Sequence, residues 1–210
     1  MEIKYYGHSC FLLTDKNGKT VLTDPYTKVG YELPQGLAVD IVTASHAHFD
    51  HKYVETIQYT RIIDEAGQQA ENIVGIESYH DTKHGALRGK NVIYKITIDG
   101  VVCCHLGDLG EDISNEIIEN IGKVDVLFIP IGGTYTIDAM QAKQYVDALC
   151  PKTVIPMHYR PLDGALDIDV AETFLRQFNE EEIERIPCGI TQYDLTLDRK
   201  RILYMERAKE

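Results

Sequence analysis

The sequence has no tryptophan, and positive charge is scarce: 21 Lys and Arg stand against 33 Asp and Glu, for a formal net charge of -12. Such a surface repels phosphate backbones unless basic residues gather in one cleft. The densest basic run is only Arg199-Lys200-Arg201, so a long nucleic acid is not an expected partner. No apolar stretch approaches the roughly 20 residues of a membrane-crossing helix. Met1-Glu2-Ile3-Lys4 leads directly into a strand-like run rather than a signal peptide. The five cysteines (Cys10, Cys103, Cys104, Cys150 and Cys188) are odd in number and share no repeated spacing. That excludes a fully paired disulfide framework and predicts free thiols in a reducing cytoplasm. Cys103-Cys104 could form a redox pair, but adjacent strand residues face opposite sides, so two separate core thiols are expected.

What is present is ordinary for one soluble domain: 210 residues, 44% hydrophobic and 26% charged. A chain of this length buries enough apolar surface to fold without a structural ion. Any metal site is then expected to serve function. Short β-favouring runs fill residues 3–6, 10–14 and 20–23, with Asn17-Gly18 as a hairpin turn and Asp24-Pro25 as a stop. A Gly- and Pro-containing loop follows at 27–39, then a buried strand at 40–44 and a short helix at 53–59. Strands are expected at 61–64, 73–79, 91–98 and 101–105, the last two joined by Asp99-Gly100. The second half alternates: helix 114–121, strand 125–129, helix 139–149 capped by Asp138, strand 153–156, helix 170–178, and strands at 193–197 and 202–205. Mainly β followed by β mixed with α predicts a layered α/β domain with sheets inside and helices outside.

Chemistry concentrates at strand ends. His46-Ala47-His48-Phe49-Asp50-His51 places three imidazoles and a carboxylate in six residues. These are the ligand types favoured by zinc and similar ions, and burying them unpaired would be costly. Asp24, His80, Asp108 and His158 also fall at or just past strand ends, where rigid scaffolds present functional groups.

His46-x-His48-x-Asp50-His51 resembles the signature of the metallo-β-lactamase superfamily. Asp24 before it, and His80 in Ser78-Tyr79-His80-Asp81, Asp108 in Leu106-Gly107-Asp108 and His158 in Ile155-Pro156-Met157-His158-Tyr159 after it, match the family's order. The resemblance implies a single-domain, four-layer αββα sandwich over residues 1–210. It implies a first metal on His46, His48 and His80, a second on Asp50, His51 and His158, and a bridge through Asp108. Asp50 is alternatively a proton carrier if only the first position fills. One or two divalent ions are expected, zinc first, with manganese, nickel or iron also compatible. Asp24 would orient a ligand histidine. Gly7-His8-Ser9, Pro130-Ile131-Gly132-Gly133 and Ile155-Pro156-Met157-His158-Tyr159 look like the small hydrolases similar to ascorbate-phosphate lactonases. Because Asp108 stands where some β-lactamases carry a cysteine ligand, antibiotic degradation is not expected.

The softer candidates are His8 and His105, beside the metal or the substrate; Tyr135, as a donor to an oxyanion; and His84, Arg88 and Arg160, as binders of an anionic group. The expected reaction is attack by a metal-activated water on a small ester, lactone or phosphoester. A phosphodiesterase or nuclease of the same fold, an iron-dependent oxidoreductase, and a non-catalytic metal-binding module are the alternatives. The expected partner is a small molecule, with no membrane, and the chain could assemble as a homo-oligomer.

Overall fold

The computed structural model describes residues 1–193 and 201–208. The chain opens with β1 (Glu2–Gly7), β2 (Cys10–Thr14), β3 (Thr20–Thr23), β4 (Ala38–Thr43) and β5 (Gln58–Ile63). β6 (Gly67–Ala70), β7 (Ile73–Tyr79), β8 (Lys90–Ile98) and β9 (Val101–His105) follow. The remainder alternates through α1 (Asn115–Ile121), β10 (Val126–Pro130), α2 (Ala139–Leu149), β11 (Thr153–Met157) and α3 (Ala171–Leu175). It closes with β12 (Ile183–Ile186), β13 (Ile190–Gln192) and β14 (Arg201–Met205). One sheet has the order β13-β1-β2-β3-β4-β5 and the other β12-β14-β11-β10-β9-β8-β7-β6.

The turns follow from local chemistry. Asn17-Gly18 closes the β2–β3 hairpin, where the Asp15 carboxylate accepts from the amides of Asn17 (2.8 Å) and Lys19 (2.7 Å). Asp99 and Gly100 both adopt positive φ between β8 and β9, as a two-residue hairpin turn demands. Ser114 caps α1, and Asp138 caps α2 in a reciprocal capping box with Gln141. β10 and β11 are buried along their whole length, as expected of parallel strands covered on both faces.

Strand direction sets the position of the site. β1 and β3 are each antiparallel to β2, and β3, β4 and β5 are mutually parallel. In the other sheet β7 and β9 are each antiparallel to β8, and β9, β10 and β11 are parallel. The C-terminal ends of β1, β3 and β4 thus share one edge, and those of β7, β9 and β11 share another. The core joins inward residues of both sheets, including Phe11, Leu13, Phe128 and Ile155, with the undersides of α1, α2 and α3.

The two-sheet α/β architecture is the expected one, with three local corrections. Residues 53–59 do not form a helix. The Tyr53 amide donates to Pro25 O (2.8 Å) and the Gln58 amide to Leu37 O (2.9 Å), which draws the segment into β5 beside β4. The outer face of the smaller sheet is therefore covered by coil, with Tyr26, Val29 and Leu33 packed on Leu22 and Val42. α3 ends at Leu175 rather than 178, because the amides of Gln177 and Phe178 turn to carbonyls three residues back. Third, β6, β12 and β13 are additional to the strands expected. The expected 193–197 strand lies outside the described residues except for Tyr193, and so do Arg199 and Lys200. Arg201 is buried in β14, with its guanidinium 2.9 Å from Glu184.

Phe128 is fully buried between the sheets, its ring 4.5 Å from that of Phe11. Phe128→Ala is expected to cost about 3–5 kcal/mol, measured by urea unfolding; a loss under about 1 kcal/mol would show that this contact does not hold the sheets together.

Candidate metal centre

The two aligned edges bring seven candidate ligands into one cluster. His46, His48, Asp50 and His51 leave β4; His80 follows β7, Asp108 follows β9 and His158 follows β11. Their donor atoms, together with those of His8, fall into three overlapping groups, each lying within 4.8 Å: His46, His48 and His80; His46, His51 and Asp108; and His8, Asp50, His51 and His158. Asp108 is the hub. Its carboxylate oxygens lie 3.1 Å from His51 Nε2, 3.2 Å from His80 Nε2, 3.3 Å from His158 Nε2 and 3.8 Å from His46 Nε2.

These side chains converge on common points rather than on one another. His46 Nε2, His158 Nε2 and Asp108 Oδ1 are buried and have no partner in hydrogen-bond geometry. Unpartnered buried polar atoms are costly, and a divalent cation would satisfy all of them at once. Imidazole and carboxylate are its usual donors. The residues fit a metal centre on that ground.

The surroundings hold the donors in place. Asp24 is fully buried, and its Oδ2 lies 2.8 Å from His51 Nδ1. Ser45 donates to the same carboxylate through its amide (2.8 Å) and its hydroxyl (2.6 Å). Asp24 therefore fixes the His51 ring with Nε2 facing the cluster, the usual arrangement around a ligand histidine. Asn91 performs the same service for Asp108: its Oδ1 accepts from the Asp108 amide (2.9 Å), while its Nδ2 donates to Ser78 Oγ and Leu106 O. Gly107 adopts φ +56, and a methyl group there would overlap Asn91 and Ser45. Ser45 and Asn91 carry no sequence signal of their own beyond lying near strand ends.

Burial and mutual charge set the protonation. Burial pushes His8 down to about 4 and His46 to about 3, so both are neutral donors. Burial also disfavours the His51 cation, but Asp108 and Asp24 overcome it and raise His51 well above its ordinary 6.5. Burial alone would raise Asp108; His158 and His51 hold its carboxyl well below the usual range. Asp24 is likewise kept low against burial, by His105 and His51.

The softer candidates separate. His8 joins the cluster directly. His105 does not: its Nδ1 accepts from the Gly107 amide (3.2 Å), so Nε2 donates to Ser9 O (2.8 Å), and the ring braces the turn before Asp108. Arg88 lines the cleft beside His46 and His48. Its guanidinium lies 5.6 Å from the Tyr135 ring centre and donates to Thr134 O (3.2 Å); Tyr135 itself does not line the cleft. His84 faces away from the cluster, edge-on to Tyr79 in a hollow bounded by α1. Arg160 is exposed, 3.9 Å from Asp167, in a separate hollow with Tyr159 and Tyr204. Neither His84 nor Arg160, expected as binders of an anionic group, lines the cleft beside His46 and His48. Asp138 is a helix cap.

Two predictions follow from this geometry. Asp24→Asn is expected to weaken metal affinity about 10–100-fold, read by competition with a chelator; unchanged affinity would mean that His51 needs no orienting partner. The second concerns pH. His8 and His46 bind a proton more readily unfolded than folded, so their contribution to stability is lost as pH falls below 6.5. His51 acts oppositely, but its contribution is fully present below 6.5 and lost only as pH rises through its elevated value. Metal-free protein is therefore expected to melt at a lower temperature at each step between pH 6.5 and 4; a constant or rising melting temperature would contradict neutral burial of these rings.

Comparison with known proteins agrees with this geometry. The beta-lactamase superfamily domain matches residues 2–158. A UPF0173 protein of Pyrococcus abyssi is 28% identical, over 92% of this chain and 98% of its own. A UPF0173 metal-dependent hydrolase of Methanoregula boonei is 33% identical, over 76% of this chain and 82% of its own. A crystal structure from Thermotoga maritima, of a proposed zinc-dependent hydrolase of the metallo-beta-lactamase superfamily, superposes with a TM-score of 0.80 at 33% identity, covering 98% of both chains. With the ligand motif in order, both sheets in place and this match over most of its length, the chain belongs to the metallo-β-lactamase superfamily.

Proposed function

We propose that the protein is a hydrolase of small, anionic ester, lactone or phosphoester metabolites, dependent on two divalent ions. The observation that carries this reading is the Asp108 carboxylate, within 3.1–3.8 Å of four histidine Nε2 atoms drawn from three different loops. His46, His48 and His80 would hold one ion, Asp50, His51 and His158 the other, with Asp108 between them. Ions at those positions supply Lewis acidity and lower the pKa of a water toward about 7. Zinc is the ion we favour, since all seven donors are imidazole or carboxylate and five of them are histidines.

The chain's own residues set what can bind. A cleft of about 570 Å³ opens beside the cluster and is lined by Ser45, His46, His48, Arg88 and Lys90, with Asp64, Glu65 and Glu77 also on its walls. That volume suits a small molecule. Arg88 and Lys90 offer positive charge to an anionic group beside His46 and His48. The three acidic residues and the net charge of -12 disfavour a polynucleotide. Asp50, held well below the usual carboxylate range against burial by its contact with His8 and by His51, is ionised at neutral pH. It can serve as ligand or as proton acceptor.

Metal analysis of purified protein, run beside a panel of lactones, phosphomonoesters and a generic phosphodiester, tests the reading. Two equivalents of a divalent ion with turnover of lactones or monoesters are expected. His48→Ala should lose bound metal and turnover together, and Asp108→Ala should lose one equivalent before the other. Full turnover by metal-free His48→Ala would sink the assignment, and activity confined to the phosphodiester would move the substrate to the nuclease class.

A further inference from the structure

The turn between β1 and β2 is a two-residue connection, His8-Ser9, held by an unusual number of contacts. His8 adopts φ +53, a left-handed conformation that strains a side chain of this kind. Four contacts with three residues hold it there. Its amide donates to Tyr31 Oη (3.0 Å), its carbonyl accepts from Tyr5 Oη (3.1 Å), and the same carbonyl accepts from the His158 amide (2.9 Å). The fourth is ring to ring: the imidazoles of His8 and His158 lie 4.4 Å apart, centre to centre. His8 is itself 1% exposed.

All of this aims His8 Nε2 into the cluster, 3.2 Å from His51 Nε2 and 3.4 Å from Asp50 Oδ2. Nitrogen and oxygen donors about 2.0–2.2 Å from one ion sit roughly 3.0–3.5 Å apart in tetrahedral or octahedral arrangements. Both distances fall in that interval. The contact with Asp50 is longer than the roughly 2.7–2.9 Å of a charge-assisted hydrogen bond. His51 has its Nδ1 committed to Asp24, so its Nε2 faces His8 Nε2 at hydrogen-bond distance; the same separation suits two donors of one cation, and Asp50 and His158 offer donors to the same point.

We propose that His8 is a protein ligand of the second metal position, beside Asp50, His51 and His158. The inference rests on the two-ion reading above and makes the positions unequal. One has four protein donors besides Asp108, and none of the four lines the cleft. The other has three, of which His46 and His48 face the cleft. The second ion is then the more firmly held, and coordination sites left for substrate lie mainly on the first.

His8→Gly suits the left-handed backbone and removes the ring; His8→Asn tolerates the same backbone and keeps a hydrogen-bonding group near Asp50. Circular dichroism establishes that each variant folds. Zinc equivalents and affinities are then measured against a chromophoric chelator, and cobalt-loaded protein is followed by its visible spectrum. Wild type should bind two zinc ions. Both variants should release one of them at least about 10-fold more readily, with a changed cobalt spectrum, and added imidazole should restore His8→Gly. Two zinc ions bound by either variant with wild-type affinity and spectrum would overturn the role of His8 while leaving the metal centre standing. A wild type that binds no zinc would overturn the metal centre itself, and the His8 assignment with it.

Discussion

A buried carboxylate among four imidazoles is the constraint around which this molecule is arranged. Asp108 is 2% exposed, and its charge has no lysine or arginine for a partner in the ion pairs it makes among the described residues. An ionised carboxylate in such a place must be compensated. The fold supplies histidines from the ends of β4, β7 and β11, which requires that those strands finish at adjoining edges of two sheets. The parallel pairings β9–β10–β11 in one sheet and β3–β4 in the other meet that requirement.

Converging so many polar groups strains the backbone locally. Non-glycine residues with positive φ include His8, Asp24 and His158, all at the cluster. Such conformations persist where the surroundings over-determine them. Here the surroundings are hydrogen bonds donated by Tyr5 and Ser45 and accepted by Tyr31, and close backbone packing at Gly107 and Gly132, where any side chain would overlap Asn91 or the His158 carbonyl. The apolar core pinned by Phe11 and Phe128 supplies rigidity, and the strained turns supply aim.

Much of the site was legible in the residues themselves. The run from His46 to His51 announces a metal site through composition alone, and Asp24, His80, Asp108 and His158 were identifiable from their places after strand-like runs together with the family's order. The hairpins at Asn17-Gly18 and Asp99-Gly100 and the cap at Asp138 were legible because turn and cap chemistry is local. Tertiary competition decided what was not. Residues 53–59 have helix-compatible composition, but Pro25 and Leu37 carbonyls capture their amides. His84 and Arg160 sit close to motif residues in sequence yet line other hollows, since a loop's side-chain direction depends on its whole path. Ser45 and Asn91 were invisible because their value lies in partners 21 and 17 residues distant, Asp24 and Asp108.

Crystals soaked in zinc and measured at the zinc absorption edge would examine the centre directly. Two anomalous peaks are expected, one on either side of Asp108 and roughly 3.5–4 Å apart, the first ringed by His46, His48 and His80 and the second by Asp50, His51 and His158. No peak within reach of Asp108, or peaks only at surface carboxylates, would show that these histidines and aspartates do not form a metal centre.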